Sequence, residues 1–539
     1  MKLWAAVLTA IVLCAGMYLP YLGSIELRGE EPRRILPAHQ MIESGDWIVP
    51  KIGGSVYRKK PPLINWSIAA AFLATGTRSD WAARLPSVLW LTGFAVTATL
   101  ALRRRLGDWG ALSTGLFFVS TIAMMDKGRT AEIEAMYAAQ TGIAFVLWAA
   151  WWSEGKRWAA FTIPWLFLGL GMLTKGPVHL ALLYLLVIPA LVFSKRLKDL
   201  WSLPHLTGLV LMSAVFLPWM VLNLQLTGDH TKTTGVWAGE AAERIRFADI
   251  NFKSWLIRPL QVAIDLLPWT PLLVVAWWRN RPLPATNAPS AEQERWDHVV
   301  RGTRWGLLAG LAVLMLLPHG TARYCQPLFP ALFVLLVDHW GRLHEALRAD
   351  LTRRWELSNR TFGWVAALVA GLMAALVPMY LGGGWALGAV AASVALVVAF
   401  LPQICARRNI RLAPIIHTCI VMSAFAAAGL LHAGTYMDQK GDLRQNSRTM
   451  AALFPDPARP LIFYRTSYFR SLHYVRRPYQ EIDAGSKLRP GPAYLVMPEK
   501  ELTSKAIKAL LRSHQTTELA RPTWEERKFV ILRIDPASR

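Results

Sequence analysis

ELRGEEPRRILPAHQMIESGDWIVPKIGGSVYRKKPPLINW, residues Glu26–Trp66, packs carboxylates and cations between two segments apolar enough to span a membrane. A connector that only joined two membrane helices could be short and neutral. This one carries Glu30 and Glu31, then Arg33 and Arg34, then the run Lys59–Lys60–Pro61–Pro62. Charge beside a membrane is costly unless it is paired or working, so the loop points to chemistry at a membrane surface.

Working outward, the 539 residues are 54% hydrophobic and only 17% charged, with 25 Trp and a mean hydropathy of +0.30. That is too apolar for a soluble enzyme of this size, and the expected fold class is a polytopic α-helical membrane protein. The formal charge of +24 would suggest nucleic acid in a soluble chain. Here the cations sit in short runs between apolar segments, where they orient helices and meet anionic headgroups, so nucleic acid is not an expected partner and membrane lipids are. The bulky Leu13 before Cys14 argues against a lipoprotein signal, and the first segment reads as an uncleaved helix. Cys14, Cys325, Cys405 and Cys419 lie in or beside apolar segments and read as packing residues rather than a disulfide framework or a metal site.

Apolar runs of membrane-spanning length fall near 3–21, 83–102, 110–126, 135–153, 158–174, 177–194, 204–223, 259–278, 304–318, 325–340, 362–381, 385–402 and 412–432, about thirteen in all. The clusters Arg103–Arg105, Lys156–Arg157, Lys195–Lys198, Arg279–Arg281, Arg348–Arg354 and Arg407–Arg411 occupy alternate loops, which assigns those loops to the cytoplasm. The complementary loops then face outward: the first loop 22–82, Asp126–Glu134, Thr227–Arg258 and His319–Tyr324. An odd number of spans puts the C-terminus on the same outer side.

Residues 1–435 therefore read as a transmembrane domain and 436–539 as a small external α/β domain, with strands at Leu461–Tyr464, Ala493–Met497 and Phe529–Ile534 and an amphipathic helix at Glu501–Ser513. No phosphate fingerprint or ligand cluster stands out in it, and a structural cap or acceptor recognition are both open.

The outer loops hold the chemistry. Glu30 or Glu31 suits a general base, while Lys60, Arg129 and Lys175 suit a phosphate, an assortment that fits transfer from a phosphorylated donor. Each candidate has a plain reading beside it. Lys175 before Gly176–Pro177 is placed to snorkel, His319 to be a solvated interfacial histidine, and Glu240, Glu243 and Arg246 to lie on a solvated helix. The Trp excess makes an interfacial belt, with Trp237 and Trp255 available to stack on a sugar.

The series EEPRR, MIESGDWIVPKIGG, YRKKPPL and WAARLPS (Trp81–Ser87) resembles the N-terminal region of the protein O-mannosyltransferase-like family, which includes the lipid A aminoarabinose transferases. GRTAEIEAMY at Gly128–Tyr137, TKGP at Thr174–Pro177 and RYCQPLFP at Arg323–Pro330 are similar to later elements of that family. The resemblance implies a GT-C type glycosyltransferase of the bacterial inner membrane, taking a monosaccharide from a polyprenyl-phosphate donor to an envelope lipid or glycan, with its active site and C-terminal domain periplasmic. It places Glu30 at the family's catalytic Asp, Glu31 as the second acid of the pair, Glu134 at the acid of the second loop, and Lys60 on the donor phosphate. It adds Arg33, Arg129, Lys175, Arg323 and Tyr324 as substrate-binding residues. Glu30 is one methylene longer than Asp, Arg34 stands where a tyrosine is usual, and Lys59 replaces a metal-binding glutamate, so the family's zinc site does not carry over and the cofactor stays unassigned. Transfer to a protein, or transport of a lipid-linked sugar, are the alternatives. Against transport, the charges gather at one outer face instead of along a mid-bilayer path, and no internal repeat is visible.

Overall fold

In the computed structural model the described residues are 2–228, 230–246, 251–278, 290–346, 393, 400–401, 415–424, 443–465, 470, 472–475, 477–482, 492–512, 514–524 and 527–536. The chain forms two compact units: Met1–Leu22, Lys59–Ile64 and Arg84–Ala433 make one, and Gly23–Arg58, Asn65–Ala83 and Gly434–Arg539 the other.

The first unit is helical. Its helices are α1 (Leu3–Tyr18), most of α4 (Asp80–Val119), α5 (Ile122–Lys127), α6 (Ile133–Ser153), α7 (Arg157–Lys175), α8 (Val178–Phe193), α9 (Leu203–Thr227), α10 (His230–Ile245), α11 (Phe252–Asp265), α12 (Thr270–Trp278), α13 (Ala291–Leu316) and α14 (Phe329–Ala346); α2 and α3 belong below. Backbone leaves the helical region at Gly107 of α4, so the spans read at 83–102 and 110–126 are the two arms of one bent element. By length and composition α4, α6, α9 and α13 can each cross a membrane. The spans read at 362–381 and 385–402 lie outside the described residues, apart from three isolated positions, and the one at 412–432 is described only as the apolar helix Ile415–Ala424.

At the centre stands α6, with its membrane-length window wholly buried. A Cβ on Gly142 would lie 2.6 Å from Pro330 and 2.7 Å from Phe94, so the helix is gripped from two sides. Past its C-terminal end the basic loops meet. Glu154 pairs with Lys156 at 2.7 Å and Arg104 at 3.5 Å, Asp199 with Arg157 at 2.7 Å, and Glu292 with Arg105 at 2.7 Å. Three of the clusters expected on one side are thus drawn to one end, and the 21 residues of α6 separate that end from Glu134 by about 30 Å, a bilayer core's thickness.

The second unit joins distant stretches. The segment read as one external loop contains α2 (Pro32–Ser44), the hairpin β1–β2 (Lys51–Ile52, Ser55–Val56) and most of the apolar α3 (Leu63–Thr75). The C-terminal stretch supplies α15 (Leu443–Ala452), β3 (Leu461–Tyr464), α16 (Leu472–Val475), β4 (Tyr479–Ile482), β5 (Ala493–Pro498), α17 (Lys505–Leu511), β6 (His514–Ala520), β7 (Thr523–Trp524) and β8 (Arg527–Pro536). The sheet runs β4-β3-β5-β8-β6, with β7 on β8; β3 is parallel to both neighbours and β8 antiparallel to β5 and β6. Strand alternation splits the core in two. Leu461, Phe463, Val496 and Ile531 face Leu36, Ile52, Tyr57 and Phe454, while Ile462, Leu495, Val530 and Leu532 pack with Ile507. The hairpin is fastened to β4 where the Glu481 N–H donates to the Gly53 carbonyl at 2.7 Å, and a Cβ on Gly53 would lie 2.6 Å from that of Glu481.

Candidate active site

In the helical unit the sequence puts opposite charges at facing helix ends. Glu134 lies in the first turn of α6 and Lys175 is the last residue of α7. Each suits its own helix dipole, a carboxylate at an N-terminus and an ammonium at a C-terminus. The short 154–156 connection makes the two helices antiparallel neighbours, so these ends meet, and Lys175 Nζ lies 3.3 Å from Glu134 Oε1. Gly176 ends α7 at φ +98°, a conformation that side-chain-bearing residues rarely adopt, and Pro177 turns the chain into α8.

Around this pair cations exceed acids. Arg323, from the 3-10 turn Ala322–Leu328, reaches Glu134 Oε1 at 3.6 Å. Lys60 is half-buried and close enough for its charge to act on Lys175. The Tyr324 ring sits among three cations, with Arg244 at 4.9 Å, Lys175 at 5.3 Å and Arg323 at 6.0 Å from its centroid. Beside them Lys127 pairs with Glu132 at 2.8 Å and Asp126 at 3.3 Å. Four cations thus surround the single buried carboxylate Glu134, an arrangement suited to receiving an anion in partly dehydrated surroundings.

Tyr137 lies three residues beyond Glu134, on the same helix face, and sequence reading passed over it. Lys175 sits 5.5 Å from the centre of its ring, and its hydroxyl accepts from the His179 N–H at 2.7 Å, bracing the α7–α8 turn. Arg244 was also missed; its loop carried charge in excess of any pattern. Arg129, expected on substrate, instead donates to the carbonyls of Met17 and Tyr18 at 2.9 Å each, and to that of Pro20, satisfying the open C-terminal end of α1. Glu243 and Arg246 are exposed and the His319 N–H donates to the Arg244 carbonyl at 3.4 Å, whereas the side chains of Trp237 and Glu240 lie outside the described residues.

In the other unit, the two acids of the opening loop are treated differently. Gly29, at φ +54°, turns the chain so that Glu30 and Glu31 precede the N-terminus of α2, where carboxylates are favoured. Glu31 is fully buried and accepts the Arg28 N–H at 2.8 Å. Glu30 is 36% exposed, with Arg33 on both its oxygens at 2.7 and 2.6 Å and Arg34 at 3.8 Å. Arg34 is held in turn by the Tyr57 hydroxyl at 2.6 Å; burial pushes that phenol up, so it stays protonated. Lys59 is exposed, and no group of three or more His, Cys, Asp or Glu able to hold a metal occurs among the described residues, so these side chains do not fit a zinc site.

Residues 59–222 match the family described as dolichyl-phosphate-mannose-protein mannosyltransferase. That match includes Lys60, Arg129, Glu134 and Lys175 and stops short of Glu30 and Arg323. The chain is similar to the undecaprenyl phosphate-alpha-4-amino-4-deoxy-L-arabinose arabinosyl transferase of Enterobacter sp. (strain 638), at 26% identity over 383 residues, 68% of this chain and 65% of the relative. The enzyme of the same name from Serratia proteamaculans (strain 568) is 27% identical over 289 residues, 51% of this chain and 50% of the relative. The chain thus spans between half and two thirds of the length of these relatives. Among solved structures it is similar to ArnT from Cupriavidus metallidurans bound to undecaprenyl phosphate, with a TM-score of 0.72 over 98% of both chains at 19% identity. The apo form gives 0.69 over 98% and 97% at 18% identity. This likeness shows a GT-C fold.

Proposed function

Since the chain belongs to the protein O-mannosyltransferase and aminoarabinose transferase-like family of GT-C membrane glycosyltransferases, we propose that it moves one sugar from a polyprenyl-phosphate donor to an envelope acceptor, with lipid A as the acceptor class. The observation that carries this reading is the cation excess around Glu134. A lipid-phosphate leaving group gains negative charge as its bond to the anomeric carbon breaks, and Lys60, Lys175 and Arg323 supply fixed positive charge for it. Glu134 keeps the cations from repelling one another in the empty site.

The step is a single displacement with inversion. An acceptor oxygen attacks the anomeric carbon, the carbon–oxygen bond to the polyprenyl phosphate breaks, and its electron pair stays on the phosphate. If the acceptor is a hydroxyl, its proton goes to Glu30, which is half-exposed and so can meet a substrate. If it is a phosphate it is already anionic, and Glu30 orients it. The cytoplasmic end is the one where Arg104, Arg105, Lys156 and Arg157 gather, in keeping with the positive-inside rule, which makes the Glu134 end and the sheet-bearing unit periplasmic in a chain of about thirteen spans. Deleting the gene and comparing lipid A and envelope glycans by mass spectrometry tests the reading. One sugar should disappear and return with the wild-type gene but not with Lys60→Ala; an unchanged glycan profile on deletion refutes it.

A further inference from the structure

We propose that the sheet-bearing unit carries its own binding site for a phosphorylated saccharide, in a cavity of about 440 Å³ walled by Ser79, Asp80, Trp81, Arg444, Arg448 and Tyr474. Its volume lies within the ~300–1,000 Å³ range of small-molecule pockets and is far larger than inorganic phosphate needs.

The charge in the wall is unevenly committed. Asp80 is buried, and its Oδ2 accepts from Arg444 at 2.8 Å and the Tyr474 hydroxyl at 2.9 Å, so Arg444 is spent on holding the floor. Asp80 Oδ1 ends a relay: Arg78 reaches His39 Nδ1 at 3.4 Å, His39 Nε2 lies 2.8 Å from His473 Nδ1, and His473 Nε2 lies 3.0 Å from Oδ1. Arginine only donates and the carboxylate only accepts, so both imidazoles are neutral, with the proton on Nε2 of each. The floor is therefore fixed at both ends.

One turn along α15 from Arg444, Arg448 is exposed and has no ion-pair partner among the described residues, leaving a net positive charge at the cavity. Ser79 Oγ is buried and has no hydrogen-bond partner, so a polar ligand gains a contact there at no cost. Trp81, 41% exposed, offers an aromatic face. A cation, an unsatisfied hydroxyl and an indole together match a phosphate attached to a sugar ring: Arg448 takes the phosphate, Trp81 the ring, Ser79 a hydroxyl.

The test reads binding and not turnover, so it stands or falls apart from the transfer reaction. Full-length protein in nanodiscs is titrated calorimetrically with glucosamine 1-phosphate, glucosamine and inorganic phosphate, and separately in nanodiscs containing lipid A or phosphatidylglycerol. Glucosamine 1-phosphate should bind at least tenfold tighter than either fragment, with a tenfold loss in Arg448→Gln and in Trp81→Ala at unchanged melting temperature. Binding seen only with lipid A supports the site and assigns it to a lipid-borne headgroup. Equal response to phosphatidylglycerol or inorganic phosphate, or wild-type binding by both variants, overturns it. Ser79→Ala, the mildest change, should weaken binding about threefold, and no loss there removes the hydroxyl contact.

Discussion

The acid of the helical unit and the acids of the opening loop solve opposite problems. Glu134 is buried and outnumbered by cations, so its task is to hold Lys175 and Arg323 in place until an anion arrives. Glu30 is 36% exposed and gripped by Arg33, whereas its neighbour Glu31 is buried and spent on the Arg28 N–H. Adjacent residues of one type thus differ in what they can do: a carboxylate that meets solvent can meet a substrate, and one sealed under a turn shapes the turn.

The division is sharpest for Lys60, a cation of the cluster without a helix end to stabilise. Lys60→Ala should lower transfer by 10²–10³-fold with an unchanged melting temperature, the usual loss for removing one electrostatic contact to the reacting group; a small effect in a radiolabelled-donor assay would break the assignment. Glu30→Gln should cost about 10²-fold in kcat, the low end for a general base, and leave folding intact. Glu31→Gln should do the reverse, lowering the melting temperature while keeping kcat within about tenfold, because a buried hydrogen bond is weakened. Equal behaviour of the two variants would erase the distinction. Glu134→Gln should destabilise the protein by about 3–5 kcal/mol by stranding buried Lys175, and adding Lys175→Met should recover much of it, as denaturation of the purified variants would show. The smallest effect is expected at Arg129, where Lys in place of Arg loses part of the α1 carbonyl contacts and should lower stability by about 1–2 kcal/mol with no change in KM.

Helices such as α6, α7 and α8 were legible because their apolar runs are long and end at Gly, Pro or charge. The 13 residues of α3 were not, being too few for a membrane window and hidden behind Lys59–Lys60–Pro61–Pro62. Strands β3, β5 and β8 stood out as continuous apolar runs, whereas β4 and β6 are edge strands with exposed polar residues and carry little pattern. Glu30, Lys60 and Glu134 were visible as charges in loops. Their partners were not, since Lys175 meets Glu134 across 41 residues and His473 meets Asp80 across 393, and nothing local encodes such pairings.

Of the four helices long enough to cross a membrane, α6 is the least apolar and the most enclosed, while α9 is the most apolar and the least enclosed. A helix that carries Glu134 and Gln140 and shows almost no lipid-facing surface is a poor candidate for leaving the translocon by itself. Its integration during synthesis depends on company, with α7 supplying the counter-charge for Glu134. A nascent chain stopped after α6 should slip back into water when probed by glycosylation mapping, and one extended through α7 should stay in. The acid that organises the site would then also set the order in which the chain enters the bilayer.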